Sequence, residues 1–235
     1  MGQEKGTATK RSIRISCLLA FVIQLPTITV SAQTVTMGFT GPEGNNSGGV
    51  YTYPYNFTLN GSGSYPLMCT TFNRGITNGE SWTANTLGVS NLNATTVRGL
   101  EFPSAGVVGY LEASYLFVEE VSAYNNSNSD SEGLYNWAVW DLFIGTDPSA
   151  SRLSTNDEAA VQSYLTAAET LGNNGSLTPS QFSNVIIYTP TDISSTGPQE
   201  FMGYGTPVLP IPEPGTVMLV GWGLAELLLI SHRRK

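Results

Sequence analysis

Cysteine, histidine and the carboxylates are the side chains of this 235-residue chain that could do chemistry, and their placement is restrictive. Cys17 falls in an apolar N-terminal stretch, so Cys69 is the one thiol of the central segment 33–211. A single thiol closes no internal disulfide; in an oxidising compartment it is buried, paired with another chain or committed to other chemistry. The only histidine, His232, sits beside Arg233, Arg234 and Lys235. The segment 33–211 therefore has no imidazole for a Ser/His/Asp or Cys/His arrangement, nor for a zinc site. Carboxylates remain, and two that converged on one sugar would suit glycoside hydrolysis. The chain reads as a non-enzyme with no catalytic residue, no metal and no cofactor, and a carbohydrate-binding or carboxylate-dependent glycoside hydrolase domain is kept as an alternative.

The elements that would position these groups can be read from periodicity. Residues 34–40, 50–59, 65–72, 80–89 and 96–102 are expected as strands, with Tyr51, Tyr53, Tyr55, Phe57 and Leu59 on one face and Asn60-Gly61 as a turn. From Gly106 to Val121 the period changes to that of a helix whose buried face carries Val107, Leu111, Ser114, Tyr115 and Val118 and whose outer face carries Glu112 and Glu119. Leu134–Ile144 is expected as a second helix. A third starts at a Ser154/Asp157 cap and stops at Gly172. Phe182–Tyr188 and 198–204 complete the set as strands. In the connection 124–133, Asn126, Asn128, Asp130 and Glu132 alternate, but Ser131 stands where a calcium loop of the EF type needs glycine, so the segment reads as a solvated loop. The expected class is α+β, an antiparallel β-sheet or small sandwich with three packed helices.

Charge narrows the partners. Between Gln33 and Ile211 stand fifteen Asp and Glu against Arg74, Arg98 and Arg152, with no lysine, a net of about −12. Phosphate backbones and anionic membranes repel such a body, so nucleic acid is excluded. Both ends of the chain carry apolar segments. Lys10, Arg11 and Arg14 precede the apolar run 15–30, and Val30-Ser31-Ala32 suits signal peptidase, so residues 1–32 are expected as a secretory signal. At the other end Pro212-Glu213-Pro214 opens an apolar run of sixteen residues that ends in Arg233, Arg234 and Lys235. As a helix it would rise roughly 24 Å, a marginal transmembrane helix with its basic end cytoplasmic. The expected organisation is a signal peptide at 1–32, an exported domain at 33–211 and a sorting segment at 212–235.

That last segment, Pro212-Glu213-Pro214 with one short apolar helix and a basic cluster, resembles the PEP-CTERM signal of exopolysaccharide-producing Gram-negative bacteria. The resemblance implies recognition by an exosortase, a membrane protease, and transfer from the inner membrane to the cell surface or extracellular matrix, with exopolysaccharide as a partner. Within the body the pieces LMCTTF, GYLEASYLF, YNWAVWDLF, VIIYTP and QEF resemble bacterial thioester-domain-like surface proteins. In those proteins a cysteine after a strand is joined to a helix glutamine, and the acyl group captures amines. The match places Cys69 and Asn136 at these positions, and Asn136 is one methylene shorter than glutamine. The other reading of the same residues is structural, with Cys69 a small buried apolar group and Trp137 and Trp140 core packing. The function expected is a non-catalytic exported surface or matrix protein linked to biofilm; a covalent adhesin using Cys69 is the alternative.

Overall fold

The computed structural model describes residues 33–128, 131–145 and 148–205. The expected signal and sorting segments, with Pro212, Glu213, Pro214, Arg233, Arg234 and Lys235, lie outside these. Among the described residues no helix is long and apolar enough to cross a membrane.

Strand β1 (Gln33–Pro42) is followed by a two-residue ribbon, β2 (Asn46–Ser47) with β3 (Val50–Tyr51). Then come β4 (Tyr55–Leu59), β5 (Ser62–Cys69) and β6 (Ser81–Gly88), and, late in the chain, β7 (Val185–Pro190) and β8 (Phe201–Tyr204). Six strands close a barrel in the order β1-β4-β5-β8-β7-β6, every pair antiparallel. The class is thus α+β, with the sheet closed on itself. Asn60 and Gly61 turn β4 into β5 with φ of 52° and 73°, the left-handed pair such a hairpin needs.

Alternation sends Val35, Met37, Phe39, Tyr55, Phe57 and Leu67 inward, and all are buried. Phe57 on β4 lies 5.6 Å from the Trp82 ring on β6 and 4.7 Å from the Phe201 ring on β8. Neither strand neighbours β4, so these rings meet through the barrel interior. Every residue of β7 is buried, because its inner face lines the barrel and its outer face is covered. Outside the barrel three helices pack on one another, α1 (Gly106–Asn125), α2 (Leu134–Ile144) and α3 (Thr155–Asn173). Phe117 of α1 meets Tyr204 of β8 at 4.9 Å between ring centres, seating that helix on the outside of the sheet. Helix α2 occupies the expected span, and Ser154 caps α3 by accepting the Asp157 N–H at 3.3 Å.

Three expectations on local structure need correction. Thr96–Gly99 is a 3₁₀ turn rather than part of a strand, because the Asn93 side-chain oxygen accepts the N–H groups of Thr95 and Thr96 at 2.9 and 3.1 Å. That local bond outweighs the β preference of Thr96 and Val97. The run 50–59 is broken around Pro54, which has no N–H for a ladder; Tyr51 is left 50% exposed while Tyr53, Tyr55 and Phe57 are buried. Helix α1 is covered on more than one side, so its most buried line is Tyr110, Ala113 and Phe117, with Leu111 buried and Val107 and Tyr115 half-buried. Glu112, expected outside, is buried against Gly172 of α3, where a Cβ would collide with its carboxylate.

Replacing Phe57 with alanine should cost about 3–5 kcal/mol, since the ring is fully enclosed and its partners sit on a closed barrel that cannot collapse into the gap. Urea unfolding followed by far-UV circular dichroism checks this, and a loss below about 1 kcal/mol would show that the barrel interior is not the main core.

Candidate functional site

The residues singled out by type and spacing meet where β5 ends and α2 begins. Antiparallel pairing puts Cys69 opposite Phe201, so Thr70 and Thr71 run past Glu200 and Gln199 beyond the ladder. The Thr70 N–H donates to the Glu200 carbonyl at 3.0 Å, which continues the pairing by one more bond. The carbonyl oxygen of Cys69 points to α2, where it accepts from Asn136 Nδ2 at 2.8 Å and from Trp140 Nε1 at 3.1 Å. Those two donors stand four residues apart, one above the other on a helix face. Asn136 Oδ1 in turn accepts the Tyr53 N–H at 3.1 Å. The carboxamide thus joins the end of β5, the approach to β4 and helix α2, all of it buried.

The expected pair of Cys69 and Asn136 is therefore brought together, and the contact is made to the main-chain oxygen of Cys69. The thiol itself donates to the Thr71 carbonyl at 3.0 Å. That same oxygen accepts from Gln199 Nε2 at 2.9 Å, so a thiol and a carboxamide share one acceptor. Gln199 also donates to the Arg74 carbonyl. Sequence reasoning passed over Gln199 as a site residue, although it belongs to the QEF piece noted above. The missing signal was the β5–β8 pairing, which no local pattern announces.

Charge is concentrated around this junction. Arg74 pairs with Glu101 and donates to the carbonyls of Ser194 at 3.1 Å and Pro198 at 2.6 Å. Glu200, fully buried, accepts from Tyr110 at 2.9 Å, Thr189 at 2.6 Å, Thr70 at 3.3 Å and the Glu101 N–H at 3.0 Å. Burial pushes its carboxyl up to about 7 despite those donors. Burial likewise pushes the Cys69 thiol up to about 12, with a hydrogen bond from the Thr71 backbone, Trp140 and Arg74 pulling the other way, so the group is a neutral thiol at physiological pH. A second buried acid, Glu120, accepts the Gly133 N–H at 2.7 Å at the start of α2, while its other oxygen has no hydrogen-bond partner among the described residues. Desolvation lifts it to about 8. Gly133 holds φ at 85°, and a Cβ there would strike the Thr52 hydroxyl at 2.6 Å.

Among the described residues no cluster of three or more His, Cys, Asp or Glu is arranged to hold a metal. No protein-family model, curated protein or solved structure matches the chain.

Glu120 and Glu200 fold as acids raised from an ordinary 4.5, so the neutral form is the one the folded state favours. Their stabilising contribution is complete below pH 4.5 and is lost as pH rises through 7 to 8. Unfolding free energy should therefore fall between pH 5 and pH 8, by at most about 1.4 kcal/mol per pH unit for each acid. Glu120→Gln keeps the acceptor for Gly133 and should flatten part of this slope. A denaturant series with a flat pH profile in the parent protein would contradict the assignment.

Proposed function

We propose that this chain is a non-catalytic exported protein of the cell surface or extracellular matrix, sorted by Pro212-Glu213-Pro214 with Arg233, Arg234 and Lys235, processed by signal peptidase and an exosortase, and associated with exopolysaccharide. One geometric observation supports it. Strand β1 starts, and β8 finishes, at the same end of the barrel: Gln33 pairs with Thr86 near the end of β6, and the Gly205 N–H donates to the Asn184 carbonyl just before β7. The ends of β1, β5 and β7, with Cys69, Thr71 and Pro190, lie at the other end. A domain held by residues 33 or 205 would present the mouth built around Cys69 away from its attachment.

The sorting address is separate from the core, so Glu213→Ala, or deletion of residues 233–235, should strand the protein at the inner membrane with an unchanged melting temperature. Cell fractionation and immunoblotting read the distribution. Normal surface delivery in both variants would defeat the sorting assignment.

The convergence of Cys69 and Gln199 on the Thr71 carbonyl favours a second reading, a covalent adhesin. In such a protein the sulfur attacks the Gln199 carboxamide carbon, the C–N bond breaks, and ammonia leaves with the thiol proton. The resulting thioester would then acylate an amine. Intact mass spectrometry of the mature protein separates the readings. With the thiol held neutral, we expect the full mass, and alkylation of Cys69 only after unfolding. A deficit of one ammonia, abolished by Gln199→Ala and kept in Asn136→Ala, would establish the covalent adhesin instead.

A further inference from the structure

Beside the Cys69 junction, an open cleft of about 400 Å³ is lined by residues following β5, by Glu101 and Phe102 before α1, and by the 191–199 loop between β7 and β8. Its size falls among small-ligand sites, which span roughly 300–1,000 Å³. It lies at the barrel end opposite Gln33 and Gly205. The ligand inferred for it rests on the exopolysaccharide association proposed above, whereas the sorting assignment is tested separately by cell fractionation.

Two aromatic rings form its walls. Phe72 is backed by Trp137 and Trp140, at 5.4 and 5.1 Å between centres, with the Arg152 guanidinium 5.6 Å from its ring centre. Phe102 is stacked on Phe143 at 4.6 Å, the planes 9° apart. Both are half-buried and held by neighbours, so neither ring needs ordering when a ligand binds, and the face of Phe102 away from Phe143 is the one left for it. Polar groups lie between and around them. Arg74 and Glu101 are ion-paired within the lining, so the described lining carries both signs and no net charge. Arg74 also ties down the 191–199 loop through the carbonyls of Ser194 and Pro198. The exposed side chains of Asn73 and Ser195 stand at the rim.

The geometry points to a binding site for an uncharged saccharide in this cleft. A pyranose ring presents apolar C–H faces and a girdle of hydroxyls, each both donor and acceptor. Aromatic faces are electron-rich and take the C–H face; the exposed Asn73 carboxamide and Ser195 hydroxyl supply donors and acceptors together, while the buried Arg74–Glu101 pair holds the cleft's floor. An anionic chain would meet a guanidinium already neutralised by Glu101 on a body of strong negative charge, which disfavours it. Among the described residues that line it, Glu101 is the only carboxylate and is tied to Arg74, so these residues do not supply the paired acids that hydrolysis needs.

The test is saturation-transfer NMR and calorimetry on the full chain with cellohexaose, laminarihexaose and chitohexaose as neutral probes and an oligogalacturonate as the charged one. Binding of at least one neutral probe is expected, with the oligogalacturonate at least about tenfold weaker. Asn73→Ala and Ser195→Ala, both at exposed positions, should keep the parent melting temperature and together weaken that binding by about tenfold or more. Phe102→Leu should abolish saturation transfer to the ring C–H protons. Silence from all three neutral probes overturns the proposal. So does equal binding of the oligogalacturonate, or unchanged affinity in the Asn73/Ser195 double variant.

Discussion

The carbonyl oxygen of Cys69 takes two hydrogen bonds from one helix, and the joint between barrel and helical layer depends on it. A carbonyl at a strand end must find a donor when buried, at a cost of about 1–3 kcal/mol if it fails. Here Asn136 and Trp140 supply both donors from successive turns of α2. The demand fixes helix position and rotation together. It also explains why asparagine is suited to that helix position: its short carboxamide reaches Cys69 on one side and the Tyr53 N–H on the other. A longer side chain would hold the helix further from the sheet.

Much of the secondary structure was legible because it follows from local periods. Helix α2 reads directly from its apolar sequence, α3 from the Ser154 cap, and the β4–β5 hairpin from Asn60-Gly61. Less legible was anything set by contacts distant in the chain. Whether strands form a sandwich or a closed barrel is decided by the β1–β6 and β5–β8 pairings, and the latter joins Thr70 to Glu200 across 130 residues. The buried line of α1 was misjudged for a related reason: a helix covered by a sheet and by other helices has no single apolar stripe. At the site, Cys69 and Asn136 could be named because each lies in a recognisable stretch. Gln199, Glu200 and Arg74 could not, since each is defined by a partner that only the folded chain brings near.

The buried acids follow one logic in different settings. Glu200 is surrounded by hydroxyls and an N–H, whereas Glu120 faces only backbone N–H groups at the start of α2, with Gly133 the closest donor to one of its oxygens. Both are raised because desolvation exceeds what the donors return. With Cys69 also raised by burial, three titratable groups of the interior are shifted toward their uncharged forms.

The antiparallel arrangement of β5 and β8 has a mechanical consequence. A pull applied at the mouth, through the residues that follow Cys69, and resisted at Gly205 would draw β5 and β8 past each other along their lengths. Their ladder bonds lie across that direction and would be strained together rather than one after another. Because β8 also pairs with β7 on its other side, the load would be shared between two seams. Such a domain resists tension by shear, the geometry suited to a tether.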